Sequence, residues 1–161
     1  KAFKPTVTVK DSNGQVISTQ NYNIIYSSNK KVGNGTVKIV FKGNYSGTIT
    51  KIFKIVPKKV SLTKATNIKG KKVKLGWKKV SGISGYEIQY GINKSFKKAK
   101  TTTAKSSLKT KTITKLKNKK KYYFRMRAYK KVSGTKVYGV YSSKKTVKIT
   151  KWLLKPVQKH V

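Results

Sequence analysis

The sequence predicts an all-β protein built as two tandem β-sandwich domains, and three observations carry that prediction. Apolar residues alternate at a period of two along most of the chain, and no stretch holds a helical period for three turns. Turn-forming clusters such as Asp11-Ser12-Asn13-Gly14 and Gly43-Asn44-Tyr45-Ser46-Gly47 punctuate the alternation at strand-sized intervals. Leu, Ile, Val and Phe make up about a quarter of the chain, above the roughly one-fifth associated with disorder, and the 10 Tyr and 2 Trp add core material.

In the first unit, residues 1–56, Val7 and Val9 of Thr6-Val7-Thr8-Val9-Lys10 would face inward, and Asp11–Gly14 turns the chain back toward Val16 and Ile17. A second strand begins near Tyr22, where Tyr22, Ile24 and Tyr26 alternate, and Ser27-Ser28-Asn29-Lys30-Lys31 leads into a strand over Thr36–Phe41. Gly43–Gly47 turns the chain again, and Thr48–Val56 closes the unit with Ile49, Phe53 and Ile55 expected in the core. A domain of this size has a marginal core, because small chains bury a small share of their surface. Pro57-Lys58-Lys59 reads as the linker.

The second unit, residues 57–150, has strand-sized runs at sandwich spacing. Val73, Leu75 and Trp77 share one face, as do Tyr86, Ile88 and Tyr90, while Ile113 and Leu116 precede Tyr122, Phe124, Met126 and Ala128. Lys130–Lys136 reads as a hairpin around Ser133-Gly134-Thr135, and a last strand carries Tyr138, Val140 and Tyr141, then Val147 and Ile149. Residues 151–161 form a tail in which Trp152-Leu153-Leu154 would pack on a domain, start a linker or form a contact.

At these residues the second unit resembles a fibronectin type III module of the form common in surface and secreted proteins of low-GC Gram-positive bacteria. Val73-Lys74-Leu75-Gly76-Trp77 is similar to that family's second strand with its buried Trp, and Gly85-Tyr86-Glu87-Ile88-Gln89-Tyr90 to its third. Leu116 with Tyr122–Ala128 matches the Leu-turn-Tyr corner and sixth strand, and Tyr138-Gly139-Val140-Tyr141-Ser142 the start of the seventh. The first unit resembles a bacterial immunoglobulin-like surface module through Gly43–Gly47, Tyr22–Lys30 and Val32–Thr36. Such modules start a strand earlier than Lys1 does, so the resemblance implies a domain that lacks its first strand or borrows one.

The charge is the strongest functional clue. Against 41 Lys and Arg stand only Asp11 and Glu87, leaving a formal +39 on 161 residues. Charge of that density draws anionic polymers over long distances and makes their binding fall with salt. A genome biased toward Lys codons would be biased toward Glu codons too, so the missing acids need their own explanation. Residues 1–56 carry +8 and residues 57–150 carry +28, which singles out the second unit. There Lys69, Lys71, Lys72 and Lys74 form one group, and Lys97, Lys98 and Lys100 a second. Lys117, Lys119, Lys120 and Lys121 form a third, and Lys144, Lys145 and Lys148 a fourth. Any one group alone reads as a solvated face, but four in one small domain cannot all lie far apart. Arg125 and Arg127 sit beside Tyr123 and Tyr129, a strip able to stack on sugars, bases or a protein, or else simply to shield the sheet.

Catalysis finds little to work with. The single His stands at position 160, Asp11 and Glu87 fall in different units, and Cys is absent. Neither an enzyme, a bound cofactor nor a metal site is expected. A Lys–Asn isopeptide crosslink, known in some similar surface modules, would need a buried acid, whereas Asp11 reads as a turn residue and Glu87 alternates out of phase with core Tyr86 and Ile88. No apolar run reaches the ~20 residues that span a bilayer. No signal peptide opens the chain, so Lys1 is expected to be a cut end, left by signal removal or by excision from a larger surface protein. The expected function is a non-enzymatic extracellular binding, adhesion or spacer module. Its lysine-rich surface would engage wall teichoic acid, sulfated or sialylated glycans, or nucleic acid without sequence preference. The competing reading is a secreted hormone-like ligand, in the manner of irisin, acting on a host cell-surface receptor. No Arg-Gly-Asp tripeptide is present to suggest an integrin loop.

Overall fold

The computed structural model describes residues 1–150, so the apolar segment Trp152–Leu154 lies outside the described residues. Every strand pairing among them is antiparallel. Alternating sequences with short turns favour this arrangement, which can leave one face of each sheet solvated. The chain divides into two compact units, Lys1–Val56 and one that begins at Pro57.

The first unit is a three-stranded sheet of β1 (Tyr22–Ser27), β2 (Gly33–Phe41) and β3 (Thr48–Ile55), with β2 in the middle. Tyr22, Val37 and Ile39 are buried on its inner face beneath Val9 and Ile17. The expected strand over Thr6–Lys10 is reduced to a single bridge between Lys10 and Val16. Asp11 limits the pairing: its Oδ1 accepts from the backbone N–H of Asn13 and of Gln15, each at 2.9 Å, and tightens the turn. The chain then enters a 3₁₀ turn at Thr19–Asn21 before a longer ladder can form.

Ile24, Ile39 and Ile49 stand opposite one another across the three strands. Only the central Ile39 is covered; Ile24 is 37% exposed and Ile49 41%. Ile49 therefore does not join the core as the alternation suggests, because the thin layer above the sheet stops short of its flanks. Ile55 is buried, and Phe53 is half-buried over Gly35. A Cβ at position 35 would come within 2.5 Å of the Phe53 ring, so the glycine is what lets the ring lie flat on the sheet. β3 pairs only with β2, and its other edge has no partner among the described residues.

The second unit is a sandwich. One sheet holds β4 (Leu62–Ile68), β5 (Lys72–Trp77) and β8 (Thr110–Ile113) in the order β4-β5-β8. The other holds β6 (Gly85–Gly91), β7 (Lys100–Lys105), β9 (Lys121–Val132) and β10 (Thr135–Tyr138) in the order β10-β9-β6-β7, and β11 (Lys145–Lys148) also pairs with β9. Val73, Leu75 and Trp77 meet Tyr86, Ile88, Phe124 and Met126 across the interior, all buried as the alternation predicts. Burial of each such side chain contributes about 1.5–3 kcal/mol. Two polar tips inside are satisfied: the Tyr86 hydroxyl accepts from Val80 N–H at 2.9 Å, and the Tyr122 hydroxyl accepts from Lys117 N–H at 3.1 Å, whereas the buried Nε1 of Trp77 has no partner among the described residues. That second bond pins the lysine-bearing loop ahead of β9.

The β9–β10 hairpin turns at Ser133 (φ 46°) and Gly134 (φ 80°). Two consecutive positive φ values match the right-handed twist of the paired strands. The single last strand expected from Tyr138 to Ile149 is instead split into β10 and β11, and Val140 is exposed. Ser142 makes the break. Its N–H donates to Met126 O at 2.7 Å while its Oγ accepts from Met126 N–H at 3.1 Å, so a side chain replaces one rung of the ladder. Gly139 lies against the chain where the unit begins, and a Cβ there would stand 2.5 Å from Pro57 O.

Candidate anion-binding surface

Antiparallel registers decide which lysines meet. Val73 stands opposite Ile113, Gly91 opposite Tyr123, and Lys148 opposite Lys121. The β4–β5 turn, the β6–β7 loop, the β8–β9 loop and the end of β11 therefore share one end of the sandwich. Backbone hydrogen bonds stitch three of them together, the β4–β5 turn, the β8–β9 loop and the end of β11: Leu116 N–H donates to Lys71 O at 3.1 Å, Lys119 N–H to Ile149 O at 2.9 Å, and Ile149 N–H to Lys120 O at 2.9 Å. Lys69, Lys71 and Lys72 join Lys97, Lys98 and Lys100 at that end, along with Lys117, Lys119, Lys120, Lys121 and Lys148. Three of the sequence groups are from the outset on neighbouring loops. Lys74 stands apart, in register with Thr66 and Thr112 in mid-sheet, and Lys144 and Lys145 lie on the flank beside Lys59–Leu62.

Four lysines occupy left-handed backbone conformations: Lys71 (φ 56°), Lys98 (φ 53°), Lys115 (φ 57°) and Lys119 (φ 58°). Gly or Asn adopts that region readily, whereas other L-residues are disfavoured there by roughly 1–2 kcal/mol each. All four belong to the same end of the sandwich. Ammonium groups thus stand at turn positions where local backbone energetics favour a different residue.

A cleft of about 450 Å³ opens on the side of the unit between the edge strands β7 and β8. Tyr90, Ile113, Leu116 and Tyr122 line its apolar part, Thr102 and Thr114 supply hydroxyls, and Lys98, Lys100, Lys111, Lys115 and Lys117 supply charge. No carboxylate is among the lining residues. Lys111 stands in the inward phase of β8, opposite Leu75, and its Nζ donates to Thr103 O on β7 across the gap. Sequence reading missed Lys111 and Lys115, which lie two residues from Lys109 and Lys117 but outside the four lysine groups. The available signal was the phase of Lys111, two residues from core Ile113.

The arginine strip lies on the outward face of the other sheet. The Arg125 guanidinium is sandwiched between Phe96 (4.1 Å) and Tyr141 (4.0 Å), and that of Arg127 between Tyr141 (4.5 Å) and Tyr138 (3.8 Å). Tyr129 continues the row beside Tyr138 at 5.9 Å. Arg125 Nε donates to Gln89 Oε1 at 2.7 Å, and Arg127 Nε and Nη2 each reach Glu87 Oε1 at 2.8 Å. The Tyr141 hydroxyl donates to the same oxygen at 3.1 Å. With both guanidinium planes covered, the strip presents edges and charge rather than an open stacking platform. Glu87 serves this network and Asp11 holds its turn, so neither described carboxylate stands free as an acid or base.

Burial first, and then the hydrogen bond to Glu87, raise the Tyr141 hydroxyl above its ordinary pKa of 10.0. The raised folded-state value means that folding favours the neutral phenol. Its contribution is complete below the unfolded pKa and is lost as pH rises through the folded one. Tyr141→Phe is expected to destabilise the unit by about 1 kcal/mol at pH 8, the scale of one lost hydrogen bond. The gap should close above a pH of about 10. Paired urea unfolding curves at the two ends of that range check it, since lysine titration is common to both proteins.

No helix of the described residues is long and apolar enough to cross a membrane. The family model of the fibronectin type III domain matches residues 57–139. No curated protein matches the chain by sequence. Among solved structures, it is similar to the FN1–FN3 domains of chicken CNTN1 at 15% identity and a TM-score of 0.52, over 77% of this chain and 43% of that one. A myokine structure aligns at 12% identity and a TM-score of 0.48, over 59% of this chain and 99% of that one.

Proposed function

This chain belongs to the fibronectin type III family, and from that premise we propose that it is a non-enzymatic extracellular module of a Gram-positive bacterium that binds anionic polymers. The lysine-rich end of the second unit is the contact surface, and the arginine strip adds charge at its side. Residues 1–56 serve as an immunoglobulin-like surface module that spaces or presents it. The partners are wall teichoic acids, sulfated or sialylated glycans and, without sequence preference, nucleic acid. The observation that carries this reading is the convergence of three lysine groups and Lys148 on one end of the sandwich, with no carboxylate among them. The left-handed lysines support it further: four of the seven non-Gly residues with positive φ among the described residues are lysines at that end, where Gly would carry no strain.

Lysine-based contact is electrostatic and weakly selective, because an ammonium is a point charge without the planar fork of arginine. Binding to heparin, wall teichoic acid and DNA is therefore expected to weaken together. With six or more anionic groups engaged, affinity falls by about 10³-fold or more between roughly 50 and 200 mM salt. Isothermal titration over that salt series checks it. A fall of less than about tenfold over the same range would overturn the reading. So would saturable, salt-resistant binding to animal cells stripped of heparan sulfate, the behaviour of a receptor ligand.

A further inference from the structure

We propose that the cleft between β7 and β8 seats one sulfated or phosphorylated sugar ring of an anionic glycan, an inference that rests on the polyanion reading above and gives it a specific site. The cleft volume of about 450 Å³ falls inside the range of roughly 300–1,000 Å³ typical of small-ligand sites. Its chemistry has three parts that a charged sugar would use together. Tyr90 and Tyr122, with Ile113 and Leu116, give an apolar surface for the C–H face of a pyranose. The Thr102 and Thr114 hydroxyls, each both donor and acceptor, suit ring hydroxyls. The lysines, drawn from β7, β8 and the loops beside them, surround that surface with donors that rotate to meet anionic groups at different ring positions.

The alternatives fit less well. A cation is opposed by five ammonium groups with no carboxylate among the lining residues. A neutral apolar ligand would leave those charges crowded and uncompensated. A long acyl chain needs depth, yet Ile88, Phe124 and Met126 behind the floor are fully buried in a closed core. A ring within a polymer needs only a slot open to the side, which two strand edges provide. The cleft also adjoins the lysine end through Lys98 and Lys117, so a chain running over that end passes its mouth. Lys111, now bonded to Thr103 O, is the ammonium that an entering anion would draw away.

The test uses the full chain and a sulfated heparin disaccharide, with the unsulfated disaccharide and free sulfate as controls, followed by amide chemical shifts. Saturable shifts are expected at Gly91, Thr102, Thr112 and Thr114, at disaccharide concentrations on the order of millimolar, and neither control should reproduce them. Thr102→Phe, which fills the cleft and removes no charge, should weaken the disaccharide about tenfold while heparin polymer binding stays within about twofold. If the polymer binds and the disaccharide gives no saturable shifts, or gives them evenly over all lysine loops, the cleft site is overturned and the polyanion reading stands. If neither binds, both fall. Should Thr102→Phe fail to fold, the shift map of the unsubstituted chain still decides.

Discussion

Glu87→Ala is expected to lower the unfolding free energy of the second unit by about 3 kcal/mol in urea titration, the low end of the range for removing one partner of a buried ion pair. Glu87 is the only carboxylate in that unit's sequence. Its side chain is 13% exposed and that of Arg127 26%, so the pair is well shielded though not dry. One oxygen accepts from Arg127 Nε and Nη2 and from the Tyr141 hydroxyl, and Tyr141 is also the ring shared between the two guanidinium groups. Truncation therefore strips the counter-charge from Arg127, frees the ring that separates it from Arg125, and lets two cations face each other through a loosened stack. Glu87→Gln keeps an acceptor and should cost roughly half as much. A loss below about 0.5 kcal/mol for Glu87→Ala would place the pair among ordinary surface salt bridges.

Raising salt from about 20 to 500 mM is expected to increase the melting temperature by on the order of 10 °C, because the Debye length shrinks from tens of ångströms to a few. A formal charge of +39 on 161 residues makes repulsion the main electrostatic term in the folded state. Relief of about 2 kcal/mol corresponds to roughly that shift for a domain near 100 residues. Heparin at low salt should give a comparable rise at far lower concentration, since a ligand that prefers the folded state stabilises it by mass action. Scanning calorimetry across both series checks this. A melting temperature indifferent to salt would show that the lysines are spaced widely enough to ignore one another.

Alternation made the core of the second unit legible. Val73, Leu75, Trp77, Tyr86, Ile88 and the even-numbered residues 122–128 fall inside because a strand sends successive side chains to opposite faces. Periodicity states which face a residue is on and says nothing of whether that face is covered, and this is why Ile49 misled. The strip of Tyr123, Arg125, Arg127 and Tyr129 was legible for the same reason. The order of the stack was not, because Phe96 (φ 62°) and Tyr141 come from loops that only tertiary packing places. Lysine grouping along the chain found most of the basic end. The cleft needed two strands, β7 and β8, that lie in different sheets, and no local signal joins them. The split of the last strand was equally hidden, since it depends on one serine hydroxyl taking a backbone rung.

If the chain binds polymer as proposed, the open edge of β3 would tie its dispersal in solution to its capture. That edge is eight residues of mostly β-branched sequence with Ile49 and Ile52 exposed, a form of strand that readily pairs with its own copies. Lys51 and Lys54 and the overall charge keep such edges apart in free solution. A bound polymer would cancel that repulsion while crowding many copies along its length. Excess polymer would spread the copies thinly, whereas near charge balance the same molecules would be pressed edge to edge into a condensed, crosslinked layer. Under the proposed polymer binding, capture and coat formation would be two regimes of one titration, set by the ratio of protein to polymer.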